Sequence, residues 1–397
     1  MRISTGWSTE PDGAAAIRTA LDAALGELDS GPDWIVAFPS VGLDGDAVAQ
    51  ELAAQVGEVP VHAATSCLGA MTAAGFHAQD GRGVGVLAIS DPDGAYGTAV
   101  EPIGDDPSAA ASNAVLAALA QAGRAGEQPM LIWLSAVPGS EEAVLAGIHA
   151  VVGTQTPIAG GSAADNTIAG EWRQFAGGSV LGDHIVVSTL FPSTRVHHSF
   201  HSGYLDTETE GVVTRSVGRR LYEIDGRPAG EVYAAWADGD IDEFLPEGGN
   251  ILAASTMHPL GRRAAGLDGE QNYVLAHPAN LHPDGSIDLF ADIEDGDRLI
   301  RMRGTADSLV SRAGRVATSA LRSGGIDASS VAGGLVVYCA GCMLAVQEEM
   351  DGVVQQMRAA LGDAPFLGTF TFGEQGCFVG GDNYHGNLMI SVVVFEA

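Results

Sequence analysis

One pattern of punctuation occurs three times in this chain and limits what it can fold into. An apolar run, a helical stretch, a glycine, a proline and a second apolar run follow one another in order. In the first instance, residues 34–40 precede a helical pattern at 45–56, which stops at Gly57 and resumes after Pro60 as 61–66. In the second, 131–135 leads to 141–152, then Gly153, Pro157 and 158–161. In the third, 335–339 is followed by 345–361, Gly362, Pro365 and 366–372. Glycine closes a helix because it reaches the left-handed conformation without a Cβ penalty. Proline shortly afterwards prevents the helix from continuing and favours an extended segment. The first strands start 27 residues before the second in two cases (34 to 61, 131 to 158) and 31 in the third (335 to 366). That is the length of a strand–helix–strand unit, so each pair should run parallel through a right-handed crossover. A later apolar run, at 84–90, 185–191 and 388–395, should return antiparallel.

The expected fold is therefore α/β, a two-domain protein with internally repeated β-α-β-β units and mixed sheets. Two units, 34–90 and 131–191, fall in a domain spanning 1–210; the third, 335–395, falls in a domain spanning 211–397. A polar stretch at 206–211 reads as the linker. Further amphipathic helices are expected at 14–28, 109–122 and 305–321, and 204–304 reads as short strands and turns, with Asp284-Gly285 as a turn signal.

Composition removes several kinds of function. The 397 residues carry 50 acidic and 19 basic side chains, and every basic one is arginine. Without lysine there is no phosphate-loop lysine, Schiff base or lysine general base. A formal charge of −31 opposes nucleic acid or an anionic membrane as a partner. No apolar run reaches the roughly 18 residues that span a bilayer, and the N-terminus lacks a signal-peptide pattern, so a cytoplasmic protein is expected. Four cysteines in a chain of this length are not a disulfide framework.

Ligands of open parallel sheets bind beyond the carboxyl ends of the strands. Here those ends are Ser66-Cys67, Gly161-Ser162, Cys339-Ala340-Gly341-Cys342 and Gly373-Glu374-Gln375-Gly376-Cys377. If the third unit packs beside the first two, Cys67, Ser162 and Glu374 should approach a shared pocket. The cysteines admit three readings: small buried apolar residues, a metal or haem site built on Cys339, Cys342 and Cys377, or reactive thiols. Glu374 is a carboxylate in a glycine-bracketed turn, suited to a general base or an amine anchor. His385 and Asn387 precede the last strand. An enzyme on this scaffold would use Cys339, Cys342 or Cys377 as thiol, Glu374 as acid or base and His385 as proton partner. His197, His198 and His201 form a second histidine group, on a strand whose alternation puts His198 opposite the other two. Asp165 and Asn166 read as an Asx turn.

Residues 212–229, Pro157 to Asp165, Tyr338-Cys339-Ala340-Gly341 and Phe370-Thr371-Phe372-Gly373-Glu374 together resemble FIST proteins, the first of them the junction between that family's two halves. The resemblance implies a sensory protein that binds a small ligand, with amino acids proposed as ligands and one branch similar to nitric-oxide-responsive haem proteins acting on histidine kinases. It carries Cys339, Gly373, Glu374 and Asn387 over as matching positions. The chain departs where family members often have Arg in place of Cys342, and at His385-Gly386-Asn387-Leu388. Signal output would then pass to a separate protein, and a symmetric homodimer is the expected assembly.

Overall fold

A computed structural model describes residues 1–264 and 271–397. In the first segment, strand Trp34–Pro39 pairs parallel with Val61–Ala63 across helix Gly45–Val56, and Val84–Ser90 lies antiparallel on its other side. Strand Leu131–Ala136 has the same neighbours: Ile158–Ser162, parallel across helix Glu141–Val152, and His184–Phe191, antiparallel. Strand Val331–Cys339 is flanked by Phe366–Thr371, parallel, and Ile390–Glu396, antiparallel. The helices end at Gly57, Gly153 and Gly362, with φ of 62°, 79° and 68°, a region that side chains with a Cβ enter at a cost. Each central strand is buried, apart from Val331 and Ala332 at the start of the third, because a helix covers one face and another sheet the other.

The segments are not independent. Strand Ala70–Thr72, which follows the first segment's second strand, hydrogen-bonds to Phe366–Thr371 and widens the third sheet. Strand Glu374–Cys377 pairs with Gly160 and Gly161 and widens the second. Where the three second strands end, they hydrogen-bond around a common junction: Cys67 N–H to Phe370 O, Ala164 N–H to Thr65 O, and Ser162 N–H to Gly373 O, all at 2.8–3.0 Å. Gly161 is required there, since a Cβ would lie 2.5–2.8 Å from the Thr371 side chain.

Described residues between 205 and 303 form a further antiparallel sheet with its own core around Tyr233, Trp236 and Leu260. Two expectations fail here. The stretch 206–211 is no linker but lies inside strand Leu205–Val217, paired with Arg298–Arg303. Its polarity reflects an exposed charged face, on which Glu210 meets Arg263 and Arg298. The helix expected at 345–361 is split into Ala340–Ala345, a 3-10 turn at Gln347–Glu349, and Met350–Leu361. Its break falls at Val346, which leaves helical dihedrals with φ −127°.

Candidate functional site

A cavity of about 600 Å³ opens at the carboxyl ends of the central strands. Three parts of the chain wall it: Pro138–Glu141 with Trp172 from the second segment, Arg219, Leu252, Thr256, His277 and Phe290 from the antiparallel sheet, and Cys339, Leu344, Thr371, Phe372 and Asn387 from the third segment. Most of this lining is aliphatic or aromatic, which suits a ligand with an apolar body.

Its charge sits at one end. Helix Glu141–Val152 begins directly after the strand-end loop, and that places Glu141 inside the protein at 1% exposure. One Glu141 oxygen accepts from Ser162 Oγ at 2.7 Å, the other from Gly139 N–H at 2.9 Å and from Arg219 Nη2 at 2.7 Å. Arg219 also holds Glu142 at 2.5 Å and Asp292 at 3.2 Å. Burial would lower the Arg219 pKa, but Glu141 and Glu142 together raise it. Burial likewise opposes ionisation of Glu142, and the neighbouring His385 and Arg219 turn its shift downward. Close to this cluster, Asn387 accepts from His277 N–H at 3.0 Å and donates to Phe290 O at 3.3 Å, the carbonyl that His385 also faces. His277 directs Nε2 to Leu252 O at 3.0 Å, and burial brings its imidazole down to about 4, so it is neutral at pH 7.

Of the residues expected at the site, Cys339 and Asn387 line the cavity. Ser162, Gly373, Glu374 and His385 form the layer behind it. A Cβ on Gly373 would lie 2.6 Å from the His385 ring, so the glycine lets that ring pack against the backbone. Glu374 is fully buried, accepts from Thr371 Oγ1 at 2.8 Å and Met389 N–H at 2.9 Å, and is pushed up by burial. Ser66 and Cys67 belong to the three-segment junction: Ser66 Oγ accepts from Phe370 N–H at 2.9 Å, and burial pushes the Cys67 thiol up to about 12. Cys67, Ser162 and Glu374 thus meet around one junction, but not on one cavity wall.

The wiring of an acid–base enzyme is not made by Cys339, Glu374 and His385. Glu374 is engaged as above, and His385 bonds Gln375 and the Phe290 carbonyl, each at 3.1 Å. The metal set is also corrected. Cys377 turns to the carbonyls of Phe378 and Gly381, and its thiol is pushed up to about 12 by burial. Among the described residues, the His, Cys, Asp and Glu group of three or more with ligand atoms within 4.8 Å of one another is Glu141, Glu142 and His385. Arg219 already supplies the positive charge there. Nor do His197, His198 and His201 converge: His197 meets Glu396 at 3.3 Å, His198 the Cys377 carbonyl, and His201 the Gly203 N–H. Asp165 does form the expected turn, accepting from Thr167 N–H. The reading of strand ends missed Glu141, Arg219 and His277, which lie on a helix start and on the other sheet.

Among known families, the FIST N domain matches residues 33–227 and the FIST C domain residues 229–377. The uncharacterized protein MJ1623 of Methanocaldococcus jannaschii is 26% identical over 154 residues, which are 37% of this chain and 29% of that protein. The chain therefore spans less than a third of that relative's length. Among solved structures, cyanuric acid hydrolase from A. caulinodans superposes with a TM-score of 0.40 at 10% identity, covering 100% of this chain and 99% of that one. PurLQS from Thermotoga maritima gives 0.23 at 9% identity, with coverage of 100% and 72%. Likenesses this slight carry no argument about fold or activity.

Proposed function

We propose, from the premise that this chain belongs to the FIST family, that the cavity is the receptor site for a small amphipathic molecule of amino-acid type. FIST domains are sensory, ligand-binding domains of signalling proteins. The observation that carries the reading is the cavity itself: apolar walls contributed by three parts of the chain, with a guanidinium and carboxylates together at one end. Arg219 suits a ligand carboxylate and Glu141 a ligand ammonium, while Trp172, Phe290 and Phe372 suit an apolar side chain. Because the walls come from separate parts of the chain, a ligand bridging them would change how those parts sit together, and a separate partner such as a histidine kinase would read that change.

Haem fits this lining less well. The Nε2 of His277 is already held by Leu252, and burial keeps the Cys339 thiol protonated, so neither side chain is poised as an axial ligand. Among the described residues, no helix is long and apolar enough to cross a membrane. Calorimetric titration of the full chain with a panel of free amino acids tests the proposal. Those with bulky apolar side chains should bind, and Ala345→Trp, on the exposed rim, should weaken them by about tenfold or more by filling the cavity. No binding across the panel, or an intense violet absorption band from bound haem, would overturn it.

A further inference from the structure

The cavity rim carries a backbone strain that burial does not offset. Among the described non-glycine residues, seven take positive φ: four aspartates, Leu68, Leu388 and Ile168. A short polar side chain tolerates this region, whereas a β-branched one is a genuine outlier there. Leu388 is fully buried and Leu68 packs against the same core, so burial offsets their conformation. Ile168, at φ 59°, is 47% exposed and lies on the cavity lining.

The loop that holds Ile168 links strand Ile158–Ser162 to strand Gln174–Ala176 and is tied down from both sides. Asp165 is fully buried within it. One Asp165 oxygen accepts from Thr167 N–H at 2.9 Å and from Ile168 N–H, the other from Glu171 N–H at 2.8 Å. Asn166 Oδ1 accepts from Leu68 N–H at 2.7 Å and Nδ2 donates to Gly81 O at 2.9 Å, which fastens the loop to the first segment. Near the end of the loop, Trp172 lines the cavity and meets Phe372 edge-on, with ring centroids 6.4 Å apart. Leu344, on the short helix Ala340–Ala345, is another large apolar side chain that lines the cavity and stays exposed. A lone exposed apolar residue is ordinary. One held in a strained conformation at a cavity, by a buried carboxylate, points to a role there.

We propose that Ile168 is a specificity-determining residue of this cavity, an apolar contact fixed in advance for the side chain of the bound molecule. The proposal rests on the cavity being a receptor site for amino-acid-type ligands. Asp165 holds the loop in the conformation that leaves Ile168 on the lining, and an apolar ligand side chain covers surface that otherwise faces water. Because the loop is ordered before binding, little conformational freedom is lost when the contact forms. Covering Ile168 favours an apolar ligand side chain over a polar one of similar size. A substitution that relaxes the backbone while removing the apolar side chain therefore raises stability and lowers affinity together.

The test compares full-length wild type, Ile168→Asn and Ile168→Val by calorimetric titration with leucine, phenylalanine and glutamine, and by thermal unfolding without ligand. Asparagine accepts positive φ, so Ile168→Asn should unfold about 1–3 °C higher than wild type. It should nevertheless bind leucine and phenylalanine about fivefold or more weakly, and glutamine no more weakly than wild type does. Valine keeps both the β-branch and the apolar surface, so Ile168→Val should stay within about twofold of wild-type affinity. The proposal is overturned if Ile168→Asn binds the apolar amino acids as tightly as wild type, loses glutamine equally, or loses affinity and thermal stability together. Each of those results leaves the cavity a receptor site, since wild type still binds. Wild type that binds neither leucine nor phenylalanine removes the receptor site and this role for Ile168 with it, so wild type alone tells the two failures apart.

Discussion

Two arginines leave water in this protein, and they are compensated by different chemistry. Arg219 meets three carboxylates, Glu141, Glu142 and Asp292, at the polar end of the cavity. Arg312 meets carbonyl oxygens and an aromatic face, without a carboxylate salt bridge among the described residues. The first cluster sets carboxylates directly against its guanidinium. The second leaves Nε and Nη2 of its guanidinium without a hydrogen-bond partner. Difference in partner, more than in burial, separates the anchored arginine from the other.

The largest expected effect tests the anchor. Arg219→Ala leaves Glu141 buried without its cation, which should cost about 3–5 kcal/mol in urea unfolding. Adding Glu141→Gln to that variant should recover a large part of the loss, because the uncompensated charge is then gone. A cost below about 1 kcal/mol would mean that the cluster behaves as a surface network and the contrast with Arg312 is overdrawn.

Acidity tests the second arginine. Cys342 has a folded-state value of about 6 against an ordinary 9.0, so between these limits the unfolded chain holds more protons than the folded one. Its contribution to stability is complete above pH 9, declines as pH falls, and is lost on passing through about 6. The groups facing it are Cys339, Tyr204, Tyr338, Glu374 and Arg312, and burial raises the first four. Stability curves of wild type and Cys342→Ser should therefore diverge from pH 6 to pH 9, with wild type gaining more. Parallel curves would show that Arg312 is balanced by some other group. The smallest effect belongs to the exposed pairs of the antiparallel sheet, where Glu210→Gln should change unfolding free energy by less than about 1 kcal/mol despite two arginine neighbours.

The three strand–helix–strand segments were legible because local chemistry dictates them: a glycine must take positive φ at each helix end, and the proline behind it forbids continuation. The strand ends were legible for the same reason, and Cys339 and Asn387 do line the cavity. What could not be read is the other wall. Arg219 stands in a quoted family stretch, yet nothing in its neighbours announces that a sheet from residues 205–303 carries it to Glu141. Arg312 left a clearer trace. It occupies a buried position in an otherwise apolar helical stripe, between Leu309 and Val316, where an arginine needs a specific partner. Polarity misled at 206–211, because a strand with alternating acidic residues looks like a linker until its arginine-bearing neighbour is known.

The hydrogen bonds that join the three second strands bear on how the chain is made. Strand Ala70–Thr72 finds its partner at Leu367–Thr369, and Gly160 and Gly161 find theirs at Glu374 and Gln375. Early residues thus wait for residues 367–375 before their pairing is complete. Contacts so distant in sequence slow folding, and open sheet edges invite association while they wait. During synthesis the nascent N-terminal half would stay unfinished, with a longer exposure to chaperones than its size suggests. The emergence of residues 367–375, and not of each segment in turn, would then time the appearance of the native state.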